Sequence, residues 1–270
     1  DRYDRVGGLM IYGIPNFKLE KQIVERRTAL LRDGGVRFQL NFEVGRDANL
    51  ADLRARHDGV LIATGVYRAR KLQAPGAGLA NVVAAMTYLT ASNRKGLGDA
   101  VPEFDDGQLD AAGKHVVVVG GGDTAMDCVR TAVRQGAKSV KCLYRRDRAN
   151  MPGSLREVRH AEEEGVEFAW LSAPKALHGG AKVSGVRVAR MRLGPPDTSG
   201  RHAPQEIDGS DHKIKADLVI EALGFDPEDV PARFGAPDLA VNRWGTLKID
   251  WRSKMTSLDG VFAAGDIVRG

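Results

Sequence analysis

Apolar residues along this chain fall into short continuous runs that alternate with helical stripes. Val116-Val117-Val118-Val119 is β-branched throughout, which predicts a buried parallel strand over 115–119. Directly after it, Ala125, Cys128, Val129, Ala132 and Val133 recur at i, i+3, i+4, i+7 and i+8. That spacing predicts an amphipathic helix ending near Gly136. The pattern then predicts a strand over 140–144, a helix over 154–164 and a strand over 166–171. Upstream, 20–33 reads as a helix with Ile23, Arg27, Leu30 and Leu31 on one face, stopped by Gly34-Gly35. Segments 36–40 and 59–63 read as strands, the second apolar enough to be buried. Segments 182–193 and 212–222 read as a later β-meander. Glycine, proline and aspartate mark 96–113 as a linker, and Gly194-Pro195-Pro196-Asp197 through Asp208-Gly209-Ser210-Asp211 as a loop region. Strand–helix–strand order predicts an α/β protein with parallel sheets.

The chain has 270 residues, enough for one large or two modest domains. With 43% apolar and 28% charged residues, disorder is excluded as the main state. No apolar run approaches the ~18–20 residues that span a bilayer, so no membrane association is expected. The N-terminus Asp1-Arg2-Tyr3-Asp4-Arg5 is not a secretory signal. Cys128 and Cys142 form no CxxC pair and are too few for an iron–sulfur cluster. A reducing, cytoplasmic location is expected. Six scattered histidines give no metal-ligand spacing, so no metal is expected. Gly113-Lys114-His115 lacks the Ser/Thr of a P-loop and precedes its strand, and no Gly-x-Ser-x-Gly elbow occurs.

Net charge is +5, and the excess is local: 130–159 holds nine Lys/Arg against Asp147 and Glu157. With only 6% aromatics, such a patch suits a small phosphorylated ligand better than nucleic acid. Glu162-Glu163-Glu164 reads as a solvated helix end.

The chemistry concentrates after the valine run. Gly120-Gly121-Gly122-Asp123-Thr124-Ala125 fits GxGxxA, with Gly120, Gly122 and Ala125 at the small positions. A bare glycine motif is weak, but this one joins a strand to a helix and a second strand follows. Gly120 permits the tight turn, Gly122 admits a pyrophosphate to backbone N–H groups, and Ala125 lets the helix pack closely. The helix N-terminus adds unpaired donors and partial positive charge. An NAD site places a carboxylate about 20 residues on, for the ribose 2′-OH. Here the next strand ends in Arg145-Arg146, which suits a 2′-phosphate and hence NADPH. A solvated basic strand end is the plainer reading, and Asp147 is placed to pair with either arginine. Ser154-Leu155-Arg156-Glu157 reads as a capping box, and Glu157 is also near enough to be a ligand contact. Strands ending in Ala63-Thr64-Gly65, Ala222-Leu223-Gly224 and Ala263-Ala264-Gly265-Asp266 are further dinucleotide-like signals.

These motifs resemble the two-dinucleotide-binding flavoprotein superfamily, and within it the small (β) subunits of NADPH-dependent glutamate synthases. The likeness rests on Gly7-Gly8-Leu9, Tyr12-Gly13-Ile14-Pro15-Asn16-Phe17-Lys18-Leu19-Glu20-Lys21, Ala63-Thr64-Gly65 and Gly120 to Cys128. It continues through Tyr144-Arg145-Arg146-Asp147, Asn150-Met151-Pro152-Gly153-Ser154 and Phe262 to Asp266. It implies a Rossmann-like NADPH-binding domain over 69–225, inserted in a partial FAD-binding Rossmann-like domain over 1–68 and 226–270. It further implies an NADPH-dependent oxidoreductase that passes hydride from NADPH to FAD. Electrons would then reach a large subunit through iron–sulfur clusters, for glutamate synthesis from glutamine and 2-oxoglutarate. By family position, Gly7, Gly8, Leu9, Val44, Thr64, Gly65, Gly265 and Asp266 would contact FAD. Gly120, Gly122, Asp123, Thr124, Ala125, Arg145, Arg146, Glu157 and Gly224 would contact NADPH. No catalytic acid or base is implied, because hydride transfer needs orientation above all.

The family's cysteine-rich iron–sulfur domain and its FAD-side GxGxxG strand would precede Asp1, and a helix facing the FAD pyrophosphate would follow Gly270. A fragment with a whole NADPH domain and an incomplete FAD fold is therefore expected. Two other readings stand: an NADPH-dependent electron-transfer flavoprotein with another acceptor, and an NADP-binding module without activity.

Overall fold

The computed structural model describes residues 1–196 and 202–270. The chain begins α1 (Leu9–Tyr12), α2 (Lys21–Asp33), α3 (Leu50–Arg56), β1 (Val60–Ile62), β2 (Arg68–Ala69), β3 (Val82–Ala84), α4 (Ala85–Gly96) and α5 (Pro102–Asp105). It continues β4 (His115–Val119), α6 (Asp123–Arg134), β5 (Ser139–Tyr144), α7 (Leu155–Glu163), β6 (Glu167–Trp170), β7 (Ser172–Gly179), β8 (Val183–Pro196) and β9 (His202–Glu206). It ends β10 (His212–Lys215), β11 (Leu218–Glu221), β12 (Phe225–Asp226), α8 (Val230–Arg233), β13 (Val261–Ala263) and α9 (Asp266–Arg269). Two compact units result. One comprises Asp1–Gly8, Val24–Ala69 and Phe225–Gly270; the other comprises Leu9–Ile23 and Arg70–Gly224.

The second unit is built on a five-stranded parallel sheet in the order β3-β11-β4-β5-β6. Strand side chains alternate between faces. Val116 and Val118 therefore join Tyr88, Leu89, Met126, Val129 and Val158 of α4, α6 and α7 on one face. Val117 and Val119 meet Leu177, Val183, Val186 and Val188 of an antiparallel sheet on the other. That second sheet is ordered β10-β8-β7. Burial on both faces is why β4 reads as an unbroken valine run, each residue worth roughly 1.5–3 kcal/mol of burial.

Several expectations change here. Segment 212–222 divides: β10 pairs antiparallel with β8, whereas β11 inserts between β3 and β4. Leu218-Val219-Ile220 is apolar on both faces and fits that central position. β3 and α4 were not anticipated. Segment 96–113 is not a free linker, since it carries α5 and packs Val101 and Leu109 against Ala91. β8 runs to Pro196 and pairs with β9 as far as His202, so much of the expected loop is a hairpin. Asp197 lies outside the described residues.

In the first unit, β1 and β13 pair in parallel, and Leu50, Ile62, Leu239, Leu247 and Ile267 form the core. Asn49 and Asp52 close a reciprocal capping box on α3. Segment 36–40 is not a strand; just beyond it, Asn41 N–H donates to the Tyr3 carbonyl and Phe42 N–H to that of Asp1. Leu61 of β1 is 62% exposed, contrary to a fully buried strand. α2 forms as expected but buries a different face. Ile23, Leu30 and Leu31 are exposed, while Lys21 and Val24 are buried.

Candidate dinucleotide-binding site

The turn from Gly120 to Gly122 joins β4 to α6. Gly120 has φ 145°, and a Cβ there would sit 2.1 Å from the Ala222 carbonyl oxygen at the end of β11. Its N–H donates to Leu143 O at 3.0 Å, so three strand ends converge on this residue. Gly121, given no role by the motif, is required for another reason: a Cβ would lie 2.4 Å from the Tyr144 ring. Gly122 is the N-cap of α6, and a Cβ there would meet nothing within 4 Å. Open space thus faces the helix N-terminus, as a phosphate site requires. Thr124 is half-buried beside it, and Ala125 is fully buried under the first turn.

Segment 150–154 folds back on this turn. Tyr144 Oη donates to Asn150 O at 2.8 Å, and Gly153 N–H donates to Gly121 O at 2.9 Å. Asp123 Oδ1 accepts from Ser154 N–H at 2.9 Å, so this carboxylate holds the returning loop. Gly121→Ala is expected to cost about 1–3 kcal/mol by overpacking the Tyr144 ring. Urea unfolding of Gly121→Ala, Tyr144→Ala and the double variant checks this: the double should be much less destabilised than the sum.

Beyond β5 the two arginines differ. Arg145 is exposed; Arg146 is 9% exposed, and its buried Nε has no hydrogen-bond partner among the described residues. The Arg146 carbonyl accepts from Leu171 N–H, which fixes the strand end. Asp147 pairs with neither arginine. Its Oδ1 accepts from Asn150 N–H at 2.9 Å and from Asn150 Nδ2 at 2.7 Å, capping a short 3₁₀ turn. The Asn150 hydrogen bonds hold its carboxyl below the usual range. Much of the basic stretch is compensated: Arg130 pairs with Glu157 and Glu164, Arg134 with Glu164, Lys141 with Glu167 and Arg148 with Glu162. Among the described residues, Arg145 and Arg146 make no ion pair.

Glu157, among the described residues, pairs with neither of these arginines. Its carboxylate is buried against Arg130 at 2.8 Å and Lys18 at 3.3 Å, and Lys18 also reaches Asp127 at 2.8 Å. The expected capping box does not form, because Ser154 makes no side-chain cap. Glu164 is no solvated helix end either: it accepts from Arg130 and Arg134, which both lie over the Phe17 ring. Burial alone would raise the Glu157 and Glu164 carboxyls. The Lys18 and Arg130 charges outweigh it at Glu157, and Arg130 and Arg134 outweigh it at Glu164, so both are held low. Burial dominates at Asp127, which is pushed up despite Lys18. The Lys18 end of this network has no periodic signal, so the sequence did not show it.

Gly224, with φ 87°, follows β11 two residues after Ala222, and its carbonyl accepts from Arg70 N–H. The same strand end meets Gly120 at Ala222. In the first unit, Thr64-Gly65 and Gly265-Asp266 follow the adjacent parallel strands β1 and β13, with Thr64, Gly265 and Asp266 exposed. Tyr67, unassigned by sequence, links the rest. A Cβ on Gly65 would lie 3.2 Å from its ring, and one on Gly8 3.7 Å from its hydroxyl. Burial, with Tyr3 and Asp266 nearby, raises the Tyr67 hydroxyl pKa. Gly7 precedes Gly8 with φ 122°. Val44 is bridged to Ala48 and packs against the core, and Leu9 opens α1 in the second unit.

The chain belongs to the pyridine nucleotide-disulphide oxidoreductase family, whose pattern matches residues 21–270. More particularly, it is 66% identical over 270 residues to the "Glutamate synthase [NADPH] small chain" of Azospirillum brasilense, covering 100% of this chain and 56% of that one. It is 42% identical over 276 residues to the "Putative oxidoreductase AegA" of Escherichia coli (strain K12), covering 100% of this chain and 41% of that protein. The chain thus spans about half the length of the curated relatives it matches. FprA from Mycobacterium tuberculosis shares the fold, with TM-score 0.79 at 21% identity over 100% of this chain and 71% of that one. Among the described residues no helix is long and apolar enough to cross a membrane.

Proposed function

We propose that this chain is the NADPH-binding domain (69–225) and part of the FAD-binding domain (1–68 and 226–270) of a glutamate synthase small chain. The observation that carries the reading is the pair Arg145-Arg146 at the end of β5, with a buried Arg146 Nε that has no partner among the described residues and no ion pair to the neighbouring Asp147. A 2′-phosphate supplies the acceptors that this guanidinium lacks. The open space before Gly122 suits the pyrophosphate, received by the N–H groups of the first turn of α6. Exposed Thr64 and Gly265, where a Cβ would meet nothing within 4 Å, leave room at the ends of β1 and β13 for FAD, with Asp266 placed to accept from a ligand hydroxyl.

When both cofactors are bound, NADPH supplies a hydride and FAD accepts it. The chain's own residues bind and orient, and none need act as acid or base. Electrons would pass through an iron–sulfur domain to a large subunit that makes glutamate from glutamine and 2-oxoglutarate, in the cytoplasm. Cys128 and Cys142 are both buried in the core and are not available as cluster ligands. The similarity to the putative oxidoreductase AegA favours a second reading, the same NADPH chemistry with another acceptor.

The test is a visible absorption spectrum of the purified chain with added FAD, followed by NADPH titration. A flavin spectrum bleached by NADPH is expected. A colourless chain that still binds NADPH would reduce the reading to an NADP-binding module; no NADPH binding at all would overturn it.

A further inference from the structure

A cavity of about 240 Å³ lies within the second unit, at the other end of α6 from the phosphate turn. Asp123 and Arg134 stand roughly 16 Å apart along that helix, at 1.5 Å per residue. Thr131, Arg134 and Gln135 line the cavity from the end of α6, Ser92 and Asn93 from α4, and Lys21 from the start of α2. Among the described residues no acidic side chain lines it.

Three features mark it as more than a packing gap. Thr131 is 5% exposed, and its buried Oγ1 has no hydrogen-bond partner among the described residues. A helical threonine ordinarily bonds back to the carbonyl one turn before, and here that bond is absent. Lys21 is 6% exposed, and its ammonium donates to Met10 O at 2.9 Å and to Ile14 O. An ammonium has three donors, so one N–H is left over. The polar wall is also fixed. Gln135 Oε1 accepts from Tyr88 Oη and Ala111 N–H, Gln135 Nε2 donates to Ser92 Oγ, and Asn93 Nδ2 donates to Tyr12 O.

We propose that this cavity is a second ligand site, taking a small organic carboxylate that meets Lys21 and Arg134 and whose further polar atom pairs with the Thr131 hydroxyl. Among the described residues Arg134 holds Glu164 through Nη2 alone, and Lys21 has its third N–H, so the donors left over in a lining without acids select an anion. The volume is that of about eight waters, too small for a nucleotide and right for a molecule of about ten heavy atoms. Burial pushes the Lys21 ammonium down to about 8, so it stays largely charged at neutral pH.

The test is a ¹⁵N NMR titration of the purified chain with succinate, with inorganic phosphate in parallel. Saturable shifts are expected at the amides of Ser92, Asn93 and 131–135, with Gly120–Gly122 unmoved and phosphate without effect. Thr131→Val, which keeps the shape and removes the hydroxyl, should weaken succinate about tenfold, as for one lost hydrogen bond. Arg134→Gln, at a half-exposed position whose partner Glu164 is still held by Arg130, should weaken it at least as much. No saturation by about 50 mM succinate, equal affinity in Thr131→Val, equal response to phosphate, or shifts centred on Gly120–Gly122 would each overturn the site; the first would mean a cavity filled by water.

Discussion

Replacing both Arg145 and Arg146 by alanine is expected to weaken NADPH binding by about 2–4 kcal/mol, roughly 30- to 1,000-fold, and to leave NADH binding nearly unchanged. The two cofactors differ only in the 2′-phosphate, so the ratio of affinities isolates its contacts. The unequal settings of the arginines sharpen the expectation. Arg145 is exposed, and its contribution should fall as salt rises. Arg146 is buried with an Nε that has no partner among the described residues, so its charge-assisted bond to the phosphate should be stronger and less sensitive to salt. Arg146→Ala alone should therefore account for most of the loss. Removing a buried side chain also costs packing, which affects stability and both cofactors alike, so the NADPH-to-NADH ratio is the decisive readout. Calorimetric titration of the two single variants and the double variant measures it. An unchanged ratio in the double variant would refute 2′-phosphate recognition at the end of β5.

That prediction was open to sequence reasoning because its residues are local. Gly120, Gly122 and Ala125 announce themselves by spacing, and the arginines by their distance from the turn along one strand. The central strands β4 and β5 were legible for a similar reason: burial on both faces writes an uninterrupted apolar run. What stayed hidden depends on contacts between distant segments. Gly121 is required by the Tyr144 ring, and Gly153 returns to Gly121 from the far side of β5. β11 lies a hundred residues from β4 in sequence but beside it in the sheet. α2 shows the limit of periodicity most clearly. Two helical stripes are available, and the one through Lys21 and Val24 is buried because the Lys21 ammonium caps the carbonyls of Met10 and Ile14. An apolar count favours the other stripe. Glu157 was misread for the same cause, since its position three residues after Ser154 suggests a cap and only the tertiary fold brings Arg130 and Lys18 to it.

The cluster around Arg130 carries the largest expected effect on stability. Arg130→Met should destabilise the second unit by about 3 kcal/mol at pH 7, because it leaves the buried Glu157 and the partly buried Glu164 short of their main partner. The estimate sits low in the range for a broken buried pair, since Lys18 still faces Glu157 and Arg134 still reaches Glu164. The pH dependence separates this from simple loss of packing. In the parent chain both glutamates have folded pKa values held below the ordinary 4.5, so their stabilisation is present above 4.5 and is lost as pH falls through the folded values. Without Arg130, burial pushes the two carboxyls back up, and their ionisation becomes a penalty that protonation relieves. Asp127 runs the opposite way in both chains: its pKa is raised by burial above 3.8, so it favours the fold more in acid and largely cancels from the difference. The gap between parent and variant should therefore be widest at pH 7 and close as pH falls below about 4. Urea unfolding at the two pH values measures it, and Glu157→Gln in the Arg130→Met background should recover part of the loss at pH 7. A gap that is the same at both pH values would assign the effect to the packing of the Arg130 side chain, whose guanidinium lies over the Phe17 ring, rather than to its ion pairs.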